Sequence, residues 1–216
     1  MADNKTQYGF RWASAWNGGK SCPVPIKMTV ASGQDDQDDG SNSVDINIGD
    51  PLKLLGTGGV TLALTTDPIS FICVGILPHW DAGQGVMRPN SKLPNQTTWG
   101  TVEARRSYVM CVPATAGLWE VDVNDNTTAT TFAAYVALIN SNVNHVVAGN
   151  TANTSAKPEI NITSAGATDE AFELRIMGIS ETAENKDFSG AQVKLIVAVN
   201  NSQLPGTPGT NVVGLA

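Results

Sequence analysis

Phe71-Ile72-Cys73-Val74-Gly75-Ile76-Leu77 is the stretch on which the fold turns. Seven residues in a row are apolar or glycine, so neither side of the segment can face water. The run is too short for a buried helix, and its Phe, Ile and Val favour the pleated backbone, so it reads as a central strand. Upstream, Val60-Thr61-Leu62-Ala63-Leu64 and Val44-Asp45-Ile46-Asn47-Ile48 alternate apolar with polar. Between them Gly49-Asp50-Pro51 turns the chain into Leu52-Lys53-Leu54-Leu55.

Farther out the same period recurs at residues 26–30, 107–113, 158–162, 171–177 and 193–199. In residues 118–123 it puts Trp119, Val121 and Val123 on an apolar face and Leu118, Glu120 and Asp122 on the opposite one. One segment, residues 129–139, follows a helical period: Phe132, Ala133, Val136 and Ile139 share a stripe, with residues 126–128 as cap candidates. Residues 78–100 are punctuated by Gly and Pro and read as an extended loop. No exact repeat recurs at a fixed period, which argues against a solenoid or propeller. The fold expected is all-β. A compact antiparallel barrel-like or sandwich core spans residues 44–199 with one short helix, preceded by an N-terminal arm with the first strand (1–43) and followed by a tail (200–216).

Composition narrows the function. Of the 216 residues, 41% are hydrophobic and 15% charged, with a net charge of −7. Nucleic acid is a poor partner for such a chain, because phosphate contacts need clustered Lys and Arg. No run is long and apolar enough to span a membrane, and the first residues lack the apolar core of a signal peptide, so synthesis in a cytosol is expected. Three cysteines, Cys22, Cys73 and Cys111, fit neither a metal motif nor a disulfide framework; free thiols are expected, buried in the two strands. The two histidines, His79 and His145, accompany no catalytic motif and read as loop or surface residues. Asp81 beside His79 and Trp80 is the only hint of a sugar or hydrolytic site. The run Asp35-Asp36-Gln37-Asp38-Asp39 lacks the spacing of a calcium loop and reads as solvated. Neither a catalytic set, a cofactor nor a metal is expected.

In their order, several short segments resemble the capsid decoration, or cement, proteins of tailed phages. They include Tyr8-Gly9-Phe10-Arg11-Trp12 with Asn17-Gly18-Gly19, Ile48-Gly49-Asp50-Pro51-Leu52, Met87-Arg88-Pro89-Asn90, Leu118-Trp119-Glu120-Val121, and Arg175-Ile176-Met177-Gly178-Ile179-Ser180. The resemblance implies a barrel-like core, synthesis in the host bacterial cytoplasm, a place on the capsid exterior, contact with the major capsid protein, and self-association as a dimer or trimer at symmetry axes of the shell. The acidic run at residues 35–39 departs from the family pattern. Candidate contacts to the capsid or to neighbours are Tyr8, Phe10, Arg11, Trp12, Trp16, Pro23 and Pro25, although Trp12 and Trp16 would equally close the chain's own core. In the long loop the candidates are His79, Trp80, Arg88 and Trp99. A carbohydrate-binding or adhesin module, using Trp80, Trp99 and Trp119 as stacking surfaces, is the alternative.

Overall fold

The computed structural model describes residues 9–30, 46–55, 59–81, 86–88, 92–93, 108–124, 128–146, 158–164, 172–182, 185, 187–189 and 193–204. Along the chain run β1 (Arg11–Ala15), β2 (Ile26–Thr29), β3 (Ile46–Asn47), β4 (Pro51–Leu54), β5 (Val60–Leu62), β6 (Phe71–Ile76), β7 (His79–Asp81), β8 (Val86–Arg88) and β9 (Lys92–Leu93). They are followed by β10 (Tyr108–Pro113), β11 (Gly117–Asp122), α1 (Phe132–Ala137), β12 (Asn142–Val146), β13 (Glu159–Asn161), β14 (Leu174–Ile179) and β15 (Lys194–Val199). The protein is all-β, with a barrel and a second, larger sheet.

The first sheet has the order β2-β10-β6-β4-β5, and a parallel bridge from Val30 to Val60 brings its last strand back to its first. The second has the order β1-β11-β15-β14-β12-β13, and a parallel bridge from Val123 to Ile160 likewise returns β13 to β11. With β1 set aside as an added edge strand, both are five-stranded rings with one topology. The first strand of each pairs with its fifth, the fifth with the fourth, the fourth with the second, the second with the third, and the third bridges back to the first. The chain is therefore an internal duplication, which no exact sequence repeat reveals.

Register carries the equivalence to single residues. Val109 faces Met28 and Ile76 in the first ring, and Leu195 faces Val121 and Ile179 in the second. Each fourth strand skips one residue in its ladder, Val74 in β6 and Met177 in β14, and a glycine follows each bulge, Gly75 and Gly178. The turns entering β4 and β12 also correspond. Gly49 at φ 95° and Asn140 at φ 74° both occupy the left-handed region, which Gly and Asn tolerate best. Their hydrogen bonds repeat as well. Gly49 N donates to Cys73 O at 2.8 Å and Cys73 N to Asp50 O at 2.9 Å; Asn140 N donates to Ile176 O at 2.8 Å and Ile176 N to Ser141 O at 3.0 Å.

Two apolar clusters hold the rings. One fills the first ring, with Leu52, Val60, Phe71, Cys73, Val109 and Cys111 buried. The larger runs from Ile69, Ile72 and Val112 of the first ring into Trp119, Ile160 and Val197 of the second, so a continuous core joins the two.

Two sequence expectations are corrected. Residues 78–100 are not wholly loop, since β7 and β8 form an antiparallel pair and β9 pairs with β3. The helix is shorter than residues 129–139, and Thr131 caps it by accepting from Ala134 N at 3.2 Å. Its buried residue is Tyr135, whereas Phe132 and Val136 of the expected inward stripe are 57% and 42% exposed. Ala134, Leu138 and Ile139 pack against the core beside Tyr135, so the helix presents a face next to the expected stripe. The face of β11 opposite Trp119 is also buried at Glu120 and Asp122, where polar partners from β1, β15 and Ser180 meet them.

The paired turns predict that Gly49→Asn keeps nearly full stability, as Asn140 does in the other ring. Gly49→Val should lie about 1–2 kcal/mol below Gly49→Asn in urea unfolding, the cost of a branched residue in the left-handed region. Equal midpoints for the two variants would contradict the assignment.

Candidate binding surface and buried polar centres

The N-terminal segment straps the two rings together. Phe10, buried, donates its N–H to Gly49 O of the first ring at 2.9 Å. Strand β1 then pairs with β11 of the second, bringing Arg11 opposite Glu120 and Trp12 opposite Trp119. Arg11 and Glu120 form an ion pair, and the Trp12 and Trp119 rings meet edge to face at 5.3 Å. Gly117, at the start of β11, makes this approach possible, since a Cβ there would lie 2.6 Å from the Trp12 ring. Of the expected contact residues, Phe10, Arg11 and Trp12 are thus engaged within the chain.

Trp16 remains 58% exposed and is held by its Nε1 donating to Thr115 O at 3.0 Å. Pro23 and Pro25 are half-buried ahead of β2, beside Val24 at 88% and Ile26 at 42% exposure. Tyr8 and Trp99 lie outside the described residues. His79 and Arg88 occupy facing positions of β7 and β8, and Trp80 faces Met87.

The buried ionisable groups serve packing. Lys194 Nζ lies 2.7 Å from Asp122 Oδ1, both almost without solvent, and Asn185 seals the neighbouring backbone by donating to Lys194 O at 2.9 Å and accepting from Lys194 N at 2.8 Å. Glu120 accepts from both Arg11 and Ser180. His145, expected at the surface, is fully buried. Its Nε2 sits 3.1 Å from Ala63 O and its Nδ1 3.3 Å from Glu173 Oε2. A carbonyl only accepts, so Nε2 carries a hydrogen, and the ring ties Ala63 of the first ring to Glu173 of the second. The alternation of Asn142-Val143-Asn144-His145-Val146 was the available signal for a strand with His145 facing inward.

Duplication explains the position. His145 corresponds to Leu54 and Glu173 to Ser70. In the second ring Glu173 Oε2 accepts from His145 N at 3.2 Å; in the first, Gln203 Oε1 accepts from Leu54 N at 2.7 Å. Gln203 also donates through Nε2 to Leu54 O at 3.2 Å, so the chain leaving the second ring fastens onto the first. Each ring satisfies the same strand group with a side-chain oxygen.

One open cleft stands beside α1. It has a volume of about 490 Å³ and is lined by Phe132, Val136, Ile139, Ile179 and Phe188, together with the polar Ser180, Glu181, Thr182 and Asn185. Among the described residues no three His, Cys, Asp or Glu side chains cluster as metal ligands. Compared with known proteins, the chain matches no family model, no curated protein and no solved structure.

Breaking the buried pair should be costly. Asp122→Ala, which strands the Lys194 ammonium, is expected to lower stability by about 3–5 kcal/mol, and Asp122→Leu with Lys194→Met to restore most of the loss. A single variant as stable as the parent in chemical denaturation would contradict the pairing. The thiols give a second test. Burial pushes Cys111 up to about 12, and burial, then the charges of Cys111 and Asp50, push Cys73 higher still, whereas Cys22 is exposed. At pH 8 a thiol reagent should label Cys22 alone in the native protein and all three cysteines in denaturant. Fast native labelling of Cys73 would refute this.

Proposed function

We propose that the protein is a non-catalytic structural component of a tailed-phage virion that binds the capsid exterior and ties neighbouring major capsid proteins together, with self-association at symmetry axes of the shell. The observation that supports this most is the division of its side chains. The buried His145, Glu173, Asp122, Lys194 and Glu120 are committed to holding strands together, while exposed apolar groups at Trp16, Val24 and Ile26 are offered outward. A cement protein needs that division, because repeated contacts over a symmetric shell accumulate avidity without any reacting group. The adhesin alternative loses one support, since Trp119 is fully buried and cannot stack on a sugar.

Removing residues 1–25 would not test the proposal cleanly, because it deletes β1 and uncovers Trp119. Point changes at the exposed residues do. The purified chain should co-sediment with undecorated phage shells at hundreds of copies each. Trp16→Ala with Val24→Ser should weaken that binding about ten-fold, roughly 1.4 kcal/mol, without shifting thermal unfolding. Absence of shell binding, or a handful of copies located on the tail, would overturn the proposal.

A further inference from the structure

Cys73 and Cys111 stand directly opposite each other on β6 and β10, the antiparallel pair in the middle of the first ring's sheet. Both are fully buried and both belong to the apolar cluster inside that ring, so their side chains share one face. From this pair through Pro113 and Phe71 the ladder is regular, and the bulge at Val74 lies on the other side of the pair. Cys22, the third thiol, is exposed ahead of β2. One buried cysteine is an ordinary small apolar residue, but two that face each other can be joined.

Backbone hydrogen bonds decide which kind of pair this is. An antiparallel ladder alternates pairs that exchange backbone bonds with pairs that do not, and side chains stand closest in the second kind. Cys73 directs both of its backbone groups away from β10: its N–H donates to Asp50 O at 2.9 Å, and its carbonyl accepts from Gly49 N at 2.8 Å. The far end of the ladder agrees. Ala114 N donates to Ser70 O at 2.9 Å, so that pair is a bonded one, and three alternating steps make Cys111 and Cys73 an unbonded one. Unbonded pairs hold their Cα atoms about 4.5 Å apart, within the span of roughly 4.4–6.8 Å that a disulfide needs. The Cys73 thiol meets Gly75 O at 3.6 Å, a weak bond that costs little to give up. In the second ring the same two places hold Ile176 and Val197, again opposite each other and fully buried. Apolar side chains therefore satisfy the packing, and a facing pair of thiols belongs to the first ring alone.

We propose that Cys73 and Cys111 are a covalent modification site, at which a small-molecule disulfide oxidises the pair to a cross-strand disulfide that locks β6 to β10. In the exchange two protein S–H bonds and the reagent's S–S bond break, while one protein S–S bond and two reagent S–H bonds form. The protein gives up two electrons and the reagent takes them. Attack needs a thiolate, and burial pushes both thiols up, so the closed ring reacts slowly and the exchange proceeds when the ring opens locally. The cross-link is independent of shell binding.

Glutathione disulfide is the probe. The full chain is incubated with it in urea below the unfolding transition, at a concentration where a thiol reagent reaches Cys73 and Cys111 within the same time. Expected are tryptic peptides of Cys73 and Cys111 joined to each other and, back in buffer, a melting temperature raised by about 5 °C or more. Cys22→Ser, which removes the exposed thiol, should give a product lighter than its reduced form by two hydrogens and nothing else. Cys73→Ile with Cys111→Val, which installs the second ring's residues, should keep the fold and lose the rise in melting temperature. Should that variant fail to fold, the peptide map of Cys22→Ser decides alone. Cys73 and Cys111 left as free thiols or as glutathione adducts, either of them joined to Cys22, or a cross-linked chain that melts below the reduced one would overturn the proposal.

Discussion

Trp119 is the residue on which the two halves of the molecule converge. Its indole is fully buried, and its Nε1 donates to Ala114 O at 2.7 Å, at the point where the chain leaves the first ring for the second. Trp12 of the strap closes over its edge, and its counterpart in the first ring, Ile26, is left 42% exposed. One side chain therefore fixes the linker, seats the N-terminal strand and plugs the second ring. An indole with its N–H satisfied is suited to this, since it buries a large apolar area at the cost of a single hydrogen bond.

Around that anchor the rings are tied by polar bonds that apolar packing alone would not specify. His145 reaches Ala63 across the seam, and Gln203 grips Leu54 in the other direction. Isolated buried charges would destabilise the fold, yet Asp122 and Lys194 neutralise each other and Glu120 has two donors.

Strands were legible wherever burial alternated or a run was apolar throughout, as at residues 71–77 and 193–199. Hidden from the sequence were features fixed by long-range partners. Glu120 and Asp122 alternate like solvated residues, and only β1 and β15 bring the charges that bury them. The stripe of Phe132 and Val136 is a sound helical pattern, but the helix turns Tyr135 to the core and leaves those two exposed. The duplication escaped because the copies share topology and register and few identities, chiefly the glycine after the bulge and the isoleucine beyond it, Gly75-Ile76 and Gly178-Ile179. Their connections also differ in length. Of the expected contact residues, Phe10 and Trp12 carried the right signal, aromatics in need of a surface, and found that surface within the chain, where Arg11 meets Glu120.

The central claim is a two-ring body that acts by docking on a phage shell. Cryo-electron microscopy of shells incubated with the purified chain tests it most directly. The account predicts density for both rings at symmetry-related positions on the outer surface, with the Trp16 and Val24 segment against the major capsid protein. Bare shells at saturating protein, or density confined to the tail, would contradict it.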